Sequence, residues 1–370
     1  MVTTVPLLDE EDVRAGIDSA LAAALDALGS ELQALGIDAQ LAGELRGFVA
    51  GGKRLRAALC YWSWRAHGGL AADADARRTV LRVGAALELF QAAALVHDDV
   101  MDASDTRRGR PAAHRYFAGL HRSQGWSGPP DQFGNAAAIV LGDLALIASD
   151  REFAAALHHA PDAARPAYGH ARAVFDAMRT EVTAGQYLDL RAQALPWHAP
   201  DEEERRARAV VVSKSARYSV EHPLTLGASL AGAGRQALDL CREVGLPLGE
   251  AFQLRDDLLG IFGDPSVTGK PTGDDLREGK RTVLIARALA AADDAQRDRL
   301  TGALGRRDLS DDDVAALRRL LLDTGAVAAV ERLIDDLARP ALAALRAADL
   351  AEPGRTMLVR LGHASVERRA

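Results

Sequence analysis

The chain has 370 residues, of which 48% are hydrophobic and 26% charged. This balance supplies the apolar side chains of a substantial core and excludes disorder along the whole length. The formal net charge is −7, from 45 basic and 52 acidic residues, which argues against a nucleic-acid partner; two cysteines, Cys60 and Cys241, cannot build a disulfide or zinc framework.

The N-terminal stretch MVTTVPLLDEEDVRAG is acidic and lacks the basic-then-apolar order of a signal peptide, so a cytoplasmic protein is expected. Gly51 and Gly52 interrupt a helical pattern, after which GGKRLR at 51–56 sets Lys53 and Arg56 three apart, on one helical face. Residues 80–98, VLRVGAALELFQAAALVHD, are apolar almost all round, the pattern of a buried helix. That helix runs into DDVMD at 98–102, and Gly109 to Pro111 break the pattern again. By composition 119–135 is a surface loop, and 195–204 is a loop ending in an acidic helix start. Strand signals are nearly absent, VVV at 210–212 being the one β-branched run that stands out. The best uncharged apolar run, at 224–234, is too short for a bilayer, so no transmembrane segment is expected. The Gly/Pro/Thr-rich segment at 262–275 is too long for a plain connector, and 314–347 is amphipathic. The expectation is one all-α domain over 1–370, a large helical bundle.

The chemistry concentrates in two acidic motifs and the basic residues near them. Asp98 and Asp102 stand one helical turn apart, with Asp99 beside them. Like charges at that spacing destabilise a helix unless something neutralises them. Asp256 and Asp257, in FQLRDDLLGIFGD at 252–264, again end an apolar helical stretch. A hard divalent cation suits both, since magnesium is commonly held by one or two carboxylates plus substrate phosphates. Arg107 and Arg108 follow the first motif, Lys270, Lys280 and Arg281 follow the second, and Lys214 and Arg217 form a further pair. Carboxylates ringed by cations suggest a metal–polyphosphate complex. A solvated helix end or surface charge explains any one of these residues, but not the set. No phosphate loop, HExxH, CxxC or nucleophile elbow is present.

Taken together, these residues resemble the trans-isoprenyl diphosphate synthases, the polyprenyl synthetase family, from GGKRLR to EGKRT. The resemblance implies the isoprenoid-synthase helical bundle with a central active-site cavity, a homodimer, and Mg²⁺ as cofactor. The substrates it implies are isopentenyl diphosphate and an allylic diphosphate. By resemblance Asp98, Asp102, Asp189 and Asp256 hold the metal. Arg107, Lys214, Gln253 and Lys270 bind the allylic diphosphate, Lys53, Arg56, Gln91 and Arg108 form the isopentenyl diphosphate pocket, and Lys280 is a further substrate-binding residue. Gly260 departs from the pattern, standing where many members have a third aspartate; a bend or end of the helix at this glycine is expected. Ala93 and Ala94 are small where members that stop at fifteen carbons commonly place aromatics, and Phe90 is the first bulky residue deeper on that face. Geranylgeranyl diphosphate is the expected product. Longer chains, a class I terpene cyclase and a non-catalytic regulatory subunit are the alternatives.

Overall fold

Helices make up nearly all of the regular structure in a computed structural model that describes residues 10–37, 39–158, 165–263 and 273–367. In chain order they are α1 (Val13–Ala34), α2 (Ala39–Val49), α3 (Leu55–Ala66), α4 (Ala74–Met101), α5 (Ala113–Ser123), α6 (Pro130–His158), α7 (Arg165–Ala194) and α8 (Pro200–Val210). A π-helix, Val211–Glu221, follows, then α9 (His222–Leu230), α10 (Arg235–Phe262), α11 (Asp274–Glu278) and α12 (Val283–Ala291). The last are α13 (Asp294–Ala303), α14 (Asp311–Asp323), α15 (Ala326–Ala347) and α16 (Gly354–Val366). Strands β1 (Thr106–Arg107) and β2 (Arg110–Pro111) pair antiparallel, with Thr106 opposite Pro111 and Arg107 opposite Arg110. The chain divides into two compact units. One comprises Met1–Phe175, Pro223–Asp239 and Asp349–Leu361; the other comprises Asp176–His222, Leu240–Ala348 and Gly362–Ala370.

In the first unit α4 is the central element. Asp73 accepts a hydrogen bond from the Ala76 N–H and caps its start, and its side chains are buried on nearly every face from Val80 to Phe90. It packs against α6, α3 and α1. On α1, Val13, Ile17, Leu21, Leu25, Leu28 and Leu32 form the apolar stripe that a surface helix turns inward. In the second unit α12 packs against α8 and α15. The starts of α13 and α14 carry capping boxes, Asp293 with Gln296 and Ser310 with Asp313.

Several sequence expectations change. The loop expected over 119–135 narrows to 124–129, because α5 continues to Ser123 with His121 buried and α6 begins at Pro130. The loop at 195–204 ends where expected, Pro200 opening α8 with three acids in its first turn. Val210–Val212, the one β-branched run, lie in a helix end and a π-helix, in keeping with the all-α expectation. Residues 109–111 close a hairpin instead of ending a helix. Two helices, Ala74–Met101 and Pro130–His158, are long and apolar enough to cross a membrane by length and composition, although no charge-free run in the sequence is. The apolar window of the first is 72% buried inside the protein, the mark of a core helix, and that of the second 39%. α10 runs regularly past Gly260 to Phe262, so that glycine neither ends nor visibly breaks the helix.

Candidate active site

The first group of candidate residues lies in the first unit, where α4 ends. Asp99 is fully buried, and Asp98 and Asp102 are largely so. Asp102 caps the helix in right-handed helical conformation, which preserves the one-turn spacing from Asp98. Arg107 neutralises this acidic end. Its Nε donates to Asp99 Oδ1 at 2.9 Å, its Nη2 donates to the same oxygen, and Nη2 lies 3.6 Å from Asp98 Oδ2. The hairpin puts Arg107 there. Arg108 (φ 54) and Gly109 (φ 73) are both left-handed, as the tight primed turn of a two-residue hairpin requires. Glycine adopts that conformation freely; at Arg108 it is strained, and such strain clusters at functional sites.

From within the turn, Arg108 Nη1 donates to the Phe48 carbonyl at 3.3 Å. Partial desolvation lowers the affinity of its guanidinium for the proton; Glu88 opposes this, and the like charges of Arg54, Arg107 and Arg56 push the same way. Arginine stays charged regardless, so this is a crowd of fixed positive charge that favours an anion. A cleft of about 220 Å³ opens beside it, lined by Glu44, Phe48, Gly51, Arg107, Arg108, Arg110 and Pro111. Lys53 and Arg56 stand at the foot of α3, after Gly51 (φ 76) and Gly52. Arg54 between them is a clamp the sequence reading missed. Itself left-handed and buried, it donates from Nε to Asp18 Oδ1 at 2.8 Å and from Nη1 to Glu88 Oε2 at 3.2 Å. Buried Glu44, paired with Arg110 at 3.2 Å, was also missed; burial raises its pKa against the opposing effect of that arginine.

On α4, Gln91, Ala94, Leu95 and Asp98 form a half-buried stripe, while Phe90 and Ala93 are buried.

The second group lies in the second unit. Lys214, on the π-helix, donates to Asp189 Oδ2 on α7 at 2.6 Å, and Gln193 Nε2 approaches Asp189 Oδ1 at 3.4 Å. A Cβ at Gly185 would stand 2.5 Å from Lys214 N, so a residue without one lets the two helices close. π-Helical turns occur often at functional sites. At the end of α10, Gln253 Nε2 donates to Asp257 Oδ1 at 2.8 Å. Burial, with the charges of Asp275 and Asp256, raises the Asp257 pKa to about 8, against the pull of that hydrogen bond and Lys280. Lys280 Nζ sits 3.4 Å from Asp275 Oδ1 and 2.8 Å from Glu278 Oε2. Arg281 stacks 3.9 Å over Trp197 and donates to the Gln193 carbonyl at 3.1 Å. Lys270 lies outside the described residues.

The first group thus joins Asp98 and Asp99 to Arg107 and sets Arg108 beside that arginine; the second joins Asp189 to Lys214 and Asp257 to Gln253, with Lys280 acting on Asp257 through charge and Asp256 exposed next to it. Both acidic ends offer hard oxygen donors, and the like charges of Asp275 and Asp256, which add to the effect of burial on Asp257, are what a divalent cation relieves. Among the described residues no three His, Cys, Asp or Glu side chains close into a cage. Each of the two acidic ends, taken by itself, offers the few carboxylate oxygens that suit a cation held partly by phosphate, as magnesium commonly is.

Residues 39–321 match the family model of polyprenyl synthetases. The geranylfarnesyl diphosphate synthase of Aeropyrum pernix is 32% identical, over 75% of this chain and 77% of its own. The (2E,6E)-farnesyl diphosphate synthase of Mycobacterium bovis is 32% identical, over 73% of this chain and 67% of its own. A crystal structure of geranylgeranyl pyrophosphate synthase from Corynebacterium glutamicum, complexed with isoprenyl diphosphate and magnesium, superposes with a TM-score of 0.88 at 36% identity. It covers 98% of this chain and all of that one.

Proposed function

The chain belongs to the polyprenyl synthetase family of prenyltransferases, and we propose that it condenses isopentenyl diphosphate head-to-tail with an allylic diphosphate to give all-trans geranylgeranyl diphosphate. The observation that carries this reading is the arginine crowd of Arg54, Arg56, Arg107 and Arg108, of which Arg107 also pairs with the carboxylates of Asp98 and Asp99. A site with both signs of charge suits a diphosphate that arrives with a divalent cation.

In the first unit Asp98 and Asp102, and in the second Asp189 and Asp256, are the carboxylates that would hold magnesium. Bound there with the diphosphate, it would neutralise the charge that grows on the leaving group as the allylic C–O bond breaks. The chain's own contribution is preorganised charge. Arg107, fixed by Asp99, and Lys214, fixed by Asp189, present cationic groups whose positions are set before substrate arrives. Lys53, Arg56 and Arg108 bind the second diphosphate, that of isopentenyl diphosphate. Its double bond attacks the allylic cation, and the released pyrophosphate takes the proton that restores a double bond. No protein nucleophile is needed. The apolar side chains of the half-buried stripe of α4, Ala94 and Leu95, would keep water from the cation.

The relatives' names range over farnesyl, geranylgeranyl and geranylfarnesyl diphosphate synthases, so product length rests on this chain's own residues. Small Ala94 and buried Phe90 support twenty carbons. The same reading makes the protein a homodimer, for which α6 offers an exposed apolar face.

The test is incubation of the purified protein with magnesium, isopentenyl diphosphate and five-, ten- or fifteen-carbon allylic primers, with products read by mass spectrometry. A ladder ending at twenty carbons is expected. No elongation with any primer, or a cyclic hydrocarbon formed without consuming isopentenyl diphosphate, overturns the reading.

A further inference from the structure

We propose that Glu181 is a register lock: its carboxylate holds Val211–Glu221 in the π-helical register that sets Lys214 against Asp189. It rests on the reading above in one respect, that Lys214 grips a diphosphate. Arg217, three residues after Lys214, has no part in that reaction and supplies the first contact. Its Nη1 donates to Glu181 Oε1 at 3.2 Å, and His222 Nε2 donates to Glu181 Oε2 at 3.0 Å. Glu221, on the same helix as Arg217, lies 3.6 Å from its Nε. The Glu181 carboxylate is thus a fork on two residues five apart in the chain. Five residues of α-helix turn through about 500°, which leaves the two side chains about 140° apart. In a π-helix, bonded from i to i+5, they lie on one side. The backbone agrees, since the His222 N–H donates to the Arg217 carbonyl, the bond of the π register. One carboxylate reaches both side chains because the helix between them is π-helical; in α geometry it would lose one.

The neighbouring helices are cut to this segment. Glu181, Gly185 and Asp189 stand one turn apart on one face of α7. Glu181 takes Arg217 and His222, a Cβ on Gly185 would lie 2.5 Å from Lys214 N, and Asp189 takes Lys214 Nζ at 2.6 Å. From α10, a Cβ on Gly245 would lie 2.6 Å from Glu221 Cα, and one on Gly249 nearer still to the Ala216 carbonyl oxygen. A helix bonded from i to i+5 is wider than one bonded from i to i+4, and glycines at three points of contact admit it. Pro223, next after His222, has no N–H, so an α register would gain no bond from it to the Ser219 carbonyl. At 11 residues the π-helix exceeds the single turn in which π geometry mostly occurs, and such support is what its length requires. Glu181 is a positioning residue: it fixes the direction in which Lys214 leaves the helix.

The test combines steady-state kinetics, with isopentenyl diphosphate and an allylic primer, and crystal structures, for Glu181→Ala, Glu181→Gln, and Glu181→Ala in a Lys214→Ala background. Glu181→Ala is expected to lose the His222–Arg217 backbone bond in the crystal. Its kcat is expected to fall about tenfold, a share of the hundredfold that a misplacement of about 1 Å costs. Glu181→Gln keeps an accepting oxygen for Arg217 and an amide for the other tautomer of His222, so it is expected to recover most of that loss. In the Lys214→Ala background Glu181→Ala is expected to lower kcat no further, because residues that act as one unit are not additive. Should Glu181→Ala fail to fold, Arg217→Met, which removes one arm of the fork, takes its place in each measurement. An unchanged π-helix in the crystal, parental kcat in Glu181→Ala, or an equal further fall in the Lys214→Ala background overturns the lock. If the parent elongates no primer, the proposed function itself fails, and the crystal comparison alone decides the lock.

Discussion

A Cβ added to Gly52 would stand 2.7 Å from Arg54 Nη1 and 3.5 Å from Arg108 Nη1. Both neighbours are side-chain ends that can yield, so Gly52→Ala should cost little stability but displace the guanidinium groups. Small misplacements of positioning groups cost as much as about a hundredfold. We expect a rise of about tenfold in KM for isopentenyl diphosphate, little change in that for the allylic primer, and an unchanged melting temperature; equal effects on both substrates would sink the argument. His114 makes a second residue-scale case. It is 3% exposed, and among the described residues neither ring nitrogen has a hydrogen-bond partner. Burial first, and then Arg115, hold its pKa below the ordinary 6.5, with Asp105 and Asp131 opposing. The unfolded chain therefore takes up a proton that the folded chain resists, and stability drops as pH falls below about 6.5. His114→Leu removes both this linkage and a buried unsatisfied group, whose cost is about 1–3 kcal/mol. Its melting temperature should exceed the parent's at about pH 5.5, with a smaller loss between about pH 7.5 and pH 5.5; parallel pH curves would refute this. Asp98 and Asp102 were legible in the sequence because helical spacing is local. The partners of Arg54, Asp18 and Glu88, lie 36 and 34 residues away in the chain, and no local pattern announces such a pairing.

The elements show the same division between local and distant causes. The buried character of α4 follows from an apolar run that any helical register buries, and Gly51 and Gly52 mark the gap between α2 and α3. The β1–β2 hairpin was hidden because two residues per strand are too few for alternation to show, and its turn carries an arginine where Asn or Gly would have signalled it. The π-helix was hidden because its hydrogen bonding has no readable sequence period, and Val210–Val212 suggest a strand on propensity alone. Its packing on α7 is the more testable point. A Cβ at Gly185 would meet backbone, 2.7 Å from Lys214 Cα and from Ser213 C, and backbone cannot rotate aside. Gly185→Ala should push the helices apart and stretch the 2.6 Å Lys214–Asp189 ion pair. A fall in kcat of about a hundredfold is the expected outcome. It should be accompanied by a lower melting temperature, and parental kcat would show that this pair does not need the close approach.

At the scale of the whole molecule two questions remain open to direct test, assembly and product length. On α6, Ile139, Val140 and Ile147 are each about half exposed, with Phe133 nearby in sequence. Val140 and Ile147 lie seven apart, two turns along one face. A second copy of the chain is the occupant the family resemblance implies, so the parent should run as a dimer in light scattering. Val140→Asp/Ile147→Asp should run as a monomer, and an unchanged mass would place the interface elsewhere.

Product length depends on what closes the space beside α4. Its half-buried stripe runs from Asp98 through Leu95 and Ala94 to Gln91 and stops where Leu87, Glu88 and Phe90 are buried. At the helical rise of 1.5 Å per residue, Ala94 lies about 6 Å and Phe90 about 12 Å beyond Asp98. A chain growing from a diphosphate held at Asp98 would pass Ala94 freely and meet Phe90. Phe90→Ala should therefore extend the product by at least one five-carbon unit, read by mass spectrometry. A purely structural Phe90 predicts otherwise: a cavity costing about 3–5 kcal/mol and an unchanged ladder. Phe90→Leu separates the two, because it keeps most of the packing and shortens the side chain. Longer products from both variants, in proportion to the volume removed, would identify Phe90 as the floor. An unchanged ladder with lost stability would make it core, and the limit on length would then lie outside α4.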